Sequence, residues 1–308
     1  MASWKKQAIL GAVKSALPFR SALRRVKRTI SPYETNPKND PGLLDQSLRQ
    51  IGMLAALGIG VRGKTAVEIG TGWLPVLPLV YRMAGAESVI TVDQERLVDR
   101  GTFASAIGSV RENLDRELEN TKVDASLFDK ALLPDGDADL ASMCDESRVQ
   151  LRSPFDFNDL PANSADIVAS RTVLEHIAEG DLRRIFRSAK RILKPGGVMC
   201  HTIDMSDHFE HLDKSISRVN FLQYRPWIWK LACLEPQLFQ NRLRRFEYEN
   251  MLLEEGYEIR LMTGDPDADA MEALGRVNVC ARYGDVPAEE LAILDATIVA
   301  SPAAAASR

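Results

Sequence analysis

The sequence predicts a doubly wound α/β fold on a mostly parallel sheet, and three stretches of its 308 residues carry that expectation. In the first, residues 65–69 form a short apolar run, Gly70-Thr71-Gly72 breaks it, and a second apolar run follows at 88–92. Leu77, Val80, Tyr81 and Ala84 lie on one helical face between the runs, so the stretch reads as strand, tight turn, helix, strand. In the second, a strand at 163–168 precedes a helix marked by Leu182, Ile185, Phe186, Ala189 and Ile192, and another strand follows at 198–203. Strands alternating with helices call for crossover connections and parallel pairing. In the third, a helical pattern at 243–254 is followed by strand candidates at 257–262 and 277–282.

Taken in order, the chain opens on a basic arm. Residues 1–33 carry eight Lys/Arg and no acid, while the remainder holds 31 basic against 43 acidic residues within a net charge of -4. Phe19, Leu23, Val26 and Ile30 recur on one face beyond Pro18, which predicts an amphipathic helix. That helix is read either as docked on the domain with its arginines solvated, or as laid on an anionic membrane surface or an RNA backbone. Residues 34–62 form a linker with a short amphipathic helix at 45–57.

The main domain is expected over 63–284. Pro75 and Pro78 fall in the first turn of its first helix, where a missing N–H costs nothing. Residues 94–146 exceed the roughly dozen residues a crossover needs, and read as an insertion with helical patterns at 102–118 and 125–133. A further strand is expected at 148–151. Lys194-Pro195-Gly196-Gly197 stops the second long helix, because proline cannot continue the ladder and glycine supplies a left-handed cap. Residues 204–240 gather Asp204, Asp207, His208, Asn220, Tyr224, Trp227 and Trp229, a composition that suits either an acceptor-binding module or the core of a helical cap. Residues 285–308 read as a C-terminal helix, at 288–297, and a frayed tail.

Several classes are excluded by composition. The four cysteines are scattered with no C-x-x-C, which points to reduced thiols, a cytoplasmic setting and no zinc ribbon. No apolar run approaches the ~20 residues that span a bilayer. The acidic body argues against DNA, and against RNA anywhere but the arm.

The glycine turn narrows the ligand. Asp93 lies 21 residues beyond Gly72, where a nucleotide-binding α/β unit places the acid that holds a ribose. A dinucleotide fingerprint needs glycine where Pro75 stands, so a nicotinamide cofactor is disfavoured. What remains is E-x-G-x-G at Glu68, Gly70 and Gly72, then D-x-x-x-L-P from Asp156 to Pro161, L-E-H-I at Leu174 to Ile177, and L-K-P-G-G from Leu193. At these residues the chain resembles the class I S-adenosylmethionine (SAM) dependent methyltransferases, on the type 11-like branch that includes small-molecule O- and C-methylating enzymes. Leu74 replaces the third glycine of the family's first motif. The resemblance implies a seven-stranded sheet of order 3-2-1-4-5-7-6 whose last strand is antiparallel, with SAM as cofactor. It also implies Glu68, Gly70, Thr71 and Gly72 beneath the methionine portion, Asp93 and Gln94 at the ribose, and Asp156 and Phe157 at the adenine. The helix at 45–57 would form part of a lid.

Methyl transfer from a sulfonium is an in-line displacement, so positioning supplies most of the acceleration and a base is needed only for an un-ionised hydroxyl. All four histidines, His176, His201, His208 and His211, fall at or beyond the ends of the fourth and fifth strands, the edge where open α/β sheets bind ligands. His208, His201 and His176 are the candidate catalytic residues, with His208 favoured as base. Some methyltransferase relatives hold a divalent metal through E-x-x-E-H after the fourth strand. Here Thr172 stands in place of the first Glu, so a metal-free site is expected, with Glu175, His176 and His208 or His211 as a partial set. The expected acceptor is a hydroxyl of a small molecule or glycan. An RNA methyltransferase and a non-catalytic binding module that keeps the fold are the competing readings.

Overall fold

The computed structural model describes residues 42–211, 213–234 and 239–304. The basic arm at 1–33, and the linker as far as residue 41, lie outside the described residues. Seven strands form one sheet in the order β3-β2-β1-β4-β5-β7-β6. They are β1 (Thr65–Ile69), β2 (Ser88–Val92), β3 (Val149–Arg152), β4 (Ala165–Arg171), β5 (Leu193–Asp204), β6 (Tyr257–Met262) and β7 (Asp295–Pro302). The first five pair in parallel, and β7 runs antiparallel between β5 and β6. This is the order that the resemblance implied.

Period-two alternation sends successive strand residues into two separate cores. Ala66, Val89, Val198 and Cys200 face α1 (Gly42–Ala56), α2 (Val76–Met83) and α3 (Arg100–Thr121). Val67, Ile90 and Met199 face α5 (Glu179–Ile192) and α7 (Arg245–Glu254). All eight residues of α2 are buried, which accounts for its lack of a polar face. The insertion holds α3, started by a reciprocal capping box between Asp99 and Thr102, and α4 (Leu140–Ser147). The helix expected at 125–133 is instead two 3-10 turns, Ala125–Leu127 and Lys130–Leu132. Asp124 and Asp129 each cap the backbone two residues on and so break the run.

The closing strand differs from expectation. Residues 277–282 are not a strand: the Cys280 N–H donates to the Leu222 carbonyl, and Cys280 and Tyr283 sink into a third apolar cluster. The sheet is completed by β7, so the stretch read as a C-terminal helix and tail belongs to the domain. Helix α9 there is only Ala288–Leu291. Between them, α8 (Ala268–Leu274) starts on an Asp267 cap. The third cluster, with Phe209, Phe221, Trp229, Tyr283 and Leu291, is a cap on the carboxyl edge of the sheet around α6 (Pro226–Ala232). Trp229 stands edge-on to Phe209 and Phe221 and is therefore core.

Arg244 ties this cap to the sheet. Its fully buried guanidinium donates to the carbonyls of Met205 at 2.6 Å and Leu291 at 3.0 Å, and to that of Ile293, joining the exit of β5 to the entry of β7. Burial pulls its pKa down to about 10, which still leaves it charged at neutral pH. Replacing it with Met would keep the bulk and leave three buried carbonyls without a donor. Arg244→Met is expected to lose about 3 kcal/mol or more in denaturant unfolding, while Lys230→Met on the surface stays within ~0.5 kcal/mol of the parent.

Candidate active site

The turn after β1 is held from both sides. The Gly70 N–H donates to the Val92 carbonyl at 2.8 Å, and the Gly72 N–H to Asp93 Oδ2 at 3.0 Å, so the carboxylate beyond β2 is drawn against the glycine turn. Gly70 has φ +80°, and a Cβ there would overlap Val173. Val173 stands on it because Thr172, a β-branched residue at φ +48°, turns the chain sharply out of β4. Gly72 has φ +61°, and a Cβ there would meet no atom, so the crevice beside this glycine is open.

Beneath the turn, Thr91 Oγ1 donates to Glu68 Oε2 and also contacts Thr71 Oγ1, linking the acid, the second strand and the turn. Burial pushes the Glu68 carboxyl up to about 8, with Thr91 and Arg171 pulling the other way. Glu68 therefore sits below the turn as its support. Asp93 accepts from the Glu95 N–H as well, and Gln94 is exposed next to it. Asp156 is exposed and caps the 3-10 turn Phe157–Asp159, accepting the Asn158 N–H at 2.9 Å. Phe157 packs against the α5 and α7 core, edge-on to Phe155, and its carbonyl accepts from Arg191 of α5. The contacts of both residues are thus local or made to α5.

The four histidines separate. Alternation along β5 turns His201 toward α5, where it is buried, bonded through Nδ1 to Ser170 Oγ at 2.8 Å and 6.3 Å from the Phe186 ring. Burial pulls its pKa down to about 3. His201 is a core residue, and its candidacy as a catalytic group is withdrawn. The other three converge: ring centroids lie 5.0 Å apart for His176 and His208, and 5.5 Å for His208 and His211. His208 Nε2 stands 3.3 Å from Asp204 Oδ2. Burial works to raise the Asp204 carboxyl, but the adjacent His208 imidazole and the hydrogen bond from the Ser206 N–H hold it well below the usual carboxylate range.

Glu175 completes the cluster. It is buried, neither of its carboxyl oxygens has a hydrogen-bond partner among the described residues, and burial with the nearby Asp204 charge raises it well above the usual range. One ligand atom each from Glu175, His176 and His208 lies within 4.8 Å of the other two. His176 Nδ1 meets the Phe239 carbonyl at 2.8 Å, which fixes a tautomer leaving Nε2 with a free lone pair. Two imidazoles and a carboxyl lacking a partner form a donor set that fits a divalent cation.

A segment that sequence reading passed over positions this cluster. Residues 239–241 give the Phe239 carbonyl to His176, Gln240 Oε1 to the His208 N–H, and Asn241 Nδ2 to the carbonyls of Leu174 and Ile177 on either side of the Glu175–His176 pair. Its only signal in the sequence is a run of long polar side chains ahead of an apolar helix. From the other side, Gln50 of α1 donates to the Ser170 carbonyl and Thr202 Oγ1 at the ends of β4 and β5. The helix expected as part of a lid is thereby tied to the ends of these two strands. It borders a polar cavity of about 290 Å³ whose lining includes Asp45, Arg49, Asp204, Arg218 and Asp295.

Glu68 gives this site a pH signature. A carboxyl raised from 4.5 to about 8 on folding contributes stability that is complete below pH 4.5 and is lost as pH rises toward 8. Glu68→Gln removes that dependence. In thermal melts, the variant's Tm relative to the parent should climb steadily across this interval, and a constant difference would show that the carboxyl is not raised.

Residues 110–201 match the family model for a methyltransferase domain. No curated protein gives a significant match. Among solved structures, the chain is similar to an S-adenosylmethionine dependent methyltransferase from Mesorhizobium loti, with 15% identity over 82% of this chain and 99% of that one and a TM-score of 0.43. It is also similar to a putative sarcosine dimethylglycine methyltransferase from Galdieria sulphuraria, with 16% identity over 84% and 85% of the two chains and a TM-score of 0.45. A third is a geranyl diphosphate methyltransferase in complex with SAM, with 13% identity over 83% and 84% and a TM-score of 0.45. At these scores the likenesses carry no weight beside the sheet order and the matched segment. The matched segment, the 3-2-1-4-5-7-6 sheet and the acid-supported glycine turn give this chain the fold of the class I S-adenosylmethionine-dependent methyltransferases.

Proposed function

We propose that this SAM-dependent methyltransferase methylates a hydroxyl of a small molecule or glycan, and that the hydroxyl is activated at the cluster around His208. The observation carrying the reading is the Asp204–His208 pair at the carboxyl end of β5. In the reaction the sulfonium–methyl bond breaks as the oxygen–methyl bond forms, and the hydroxyl proton passes to the His208 imidazole. An ionised Asp204 stabilises the resulting imidazolium. The polar cavity shares Asp204 with the pair, and its carboxylates, guanidinium groups and threonines suit a polyhydroxylated acceptor. The cofactor carries a cationic ammonium and a sulfonium. Asp93, at the rim of the turn, is chemically matched to the ribose hydroxyls, and Glu68 supports that turn from below.

A second reading is favoured by one observation, the two Glu175 oxygens that lack partners. In it Glu175, His176 and His208 hold a divalent cation, whose Lewis acidity would act on the acceptor oxygen.

Calorimetry with SAM, and methyl incorporation from labelled SAM into a panel of free and nucleotide-linked sugars, test the proposal. His208→Ala is expected to lower turnover about 10²- to 10⁴-fold with SAM affinity unchanged. A loss of less than about twofold rejects His208 as the activating group. Glu175→Gln and chelator treatment separate the two readings. With His208 as base, both leave turnover intact, because Gln copies the protonated carboxyl. With a cation, both abolish it, and added Mg²⁺, Mn²⁺ or Zn²⁺ restores only the chelated parent enzyme.

A further inference from the structure

The cap carries an apolar face that the methyl-transfer site does not use. Trp227 is 62% exposed, Leu231 56% and Leu234 48%, and Leu253 is the only other large apolar side chain similarly exposed among the described residues. Their spacing puts the three on one side of α6 and its exit. The opposite side is anchored, because Trp229 is buried between Phe209 and Phe221 and its Nε1–H donates to the Gln240 carbonyl at 2.9 Å. The bare side is thus held outward by a rigid core.

Charge says what that face meets. From Lys214 to Leu234 there are four basic residues, Lys214, Arg218, Arg225 and Lys230, and no acid, on a body that otherwise has more acids than bases. Lys214 pairs with Glu210 and Arg218 with Asp267, whereas Arg225 and Lys230 are exposed with no ion pair among the described residues. Arg225 and Lys230 lie on either side of Trp227 in sequence, and Lys230 directly precedes Leu231. A second copy of this face would bring like charges together, and so would the chain's own basic segment at 1–33. Nucleic acid would satisfy the cations but leave the three apolar side chains against phosphate. An aromatic and two leucines bordered by cations match the acyl boundary and headgroups of an anionic bilayer.

We propose that α6 and its exit form a reversible docking site for an anionic lipid surface, with Trp227, Leu231 and Leu234 entering the interface and Arg225 and Lys230 meeting the headgroups. A footprint this small gives contact that is weak and salt-sensitive, with no segment spanning the bilayer. Among the described residues, no helix is long and apolar enough to cross.

The test is co-sedimentation of the full chain with vesicles of phosphatidylcholine alone or mixed with phosphatidylglycerol. The parent should bind the mixed vesicles and not the neutral ones. Trp227→Ser combined with Leu231→Ser should weaken binding about tenfold, and Arg225→Glu with Lys230→Glu by a similar factor. All these positions are exposed, so circular dichroism and SAM calorimetry should match the parent. Lipids brominated on their acyl chains should quench the parent's tryptophan emission more than that of Trp227→Phe. Equal binding by parent and both double variants overturns the proposal and assigns attachment to the basic segment at 1–33. Absence of binding by the parent, or a parent dimer that the serine variant dissolves in gel filtration, overturns it as well.

Discussion

The carboxyl edge of this sheet works only because its backbone carbonyls find donors. Five parallel strands end there in irregular loops, and each buried carbonyl in such a loop is costly without a partner. The segment 239–244 meets much of this demand from one short stretch. Asn241 serves Leu174 and Ile177, Arg242 serves Phe221 and Tyr224, and Arg244 serves Met205, Leu291 and Ile293. These bonds span the loop after β4, the loop after β5 and the entry to β7. Three chain-distant loops thereby become one rigid surface, and the histidine cluster is built on it.

The glycine turn obeys a related steric constraint. Gly70 lacks a side chain because Val173 occupies the space, and Val173 is there because Thr172 adopts a left-handed conformation as the chain leaves β4. The same sharp exit sets up the Leu174–His176 turn that carries Glu175 and His176. Cofactor crevice and candidate activating cluster are therefore joined through two residues. Strain at Thr172 serves both, which is consistent with strained backbone gathering where geometry must be fixed.

The cluster also shows how burial apportions charge. Asp204 stays ionised because His208 and Ser206 are directed at it, while Glu175, with no such partners, is driven toward its neutral form. His176 and His211 are pulled below the ordinary histidine range, first by burial and then by the charge of His208. Opposed shifts among neighbouring groups are the arrangement in which a proton can be moved or a cation held.

Local pattern determined much of this protein. Apolar periodicity gave six of the seven strands, and the spacing of Glu68, the two glycines and Asp93 marked the turn on which these groups meet, because these features depend on residues close in sequence. Tertiary structure decided the rest. Residues 277–282 and 295–302 are comparably apolar, and only the available pairing edge between β5 and β6 made the second a strand. Likewise, four histidines at one sheet edge look equivalent in sequence. Strand alternation buried His201 beneath α5 while the loops gathered the other three beside Asp204 and Glu175. Side-chain direction and long-range carbonyl satisfaction are properties of the folded surface, and a linear pattern has no term for them.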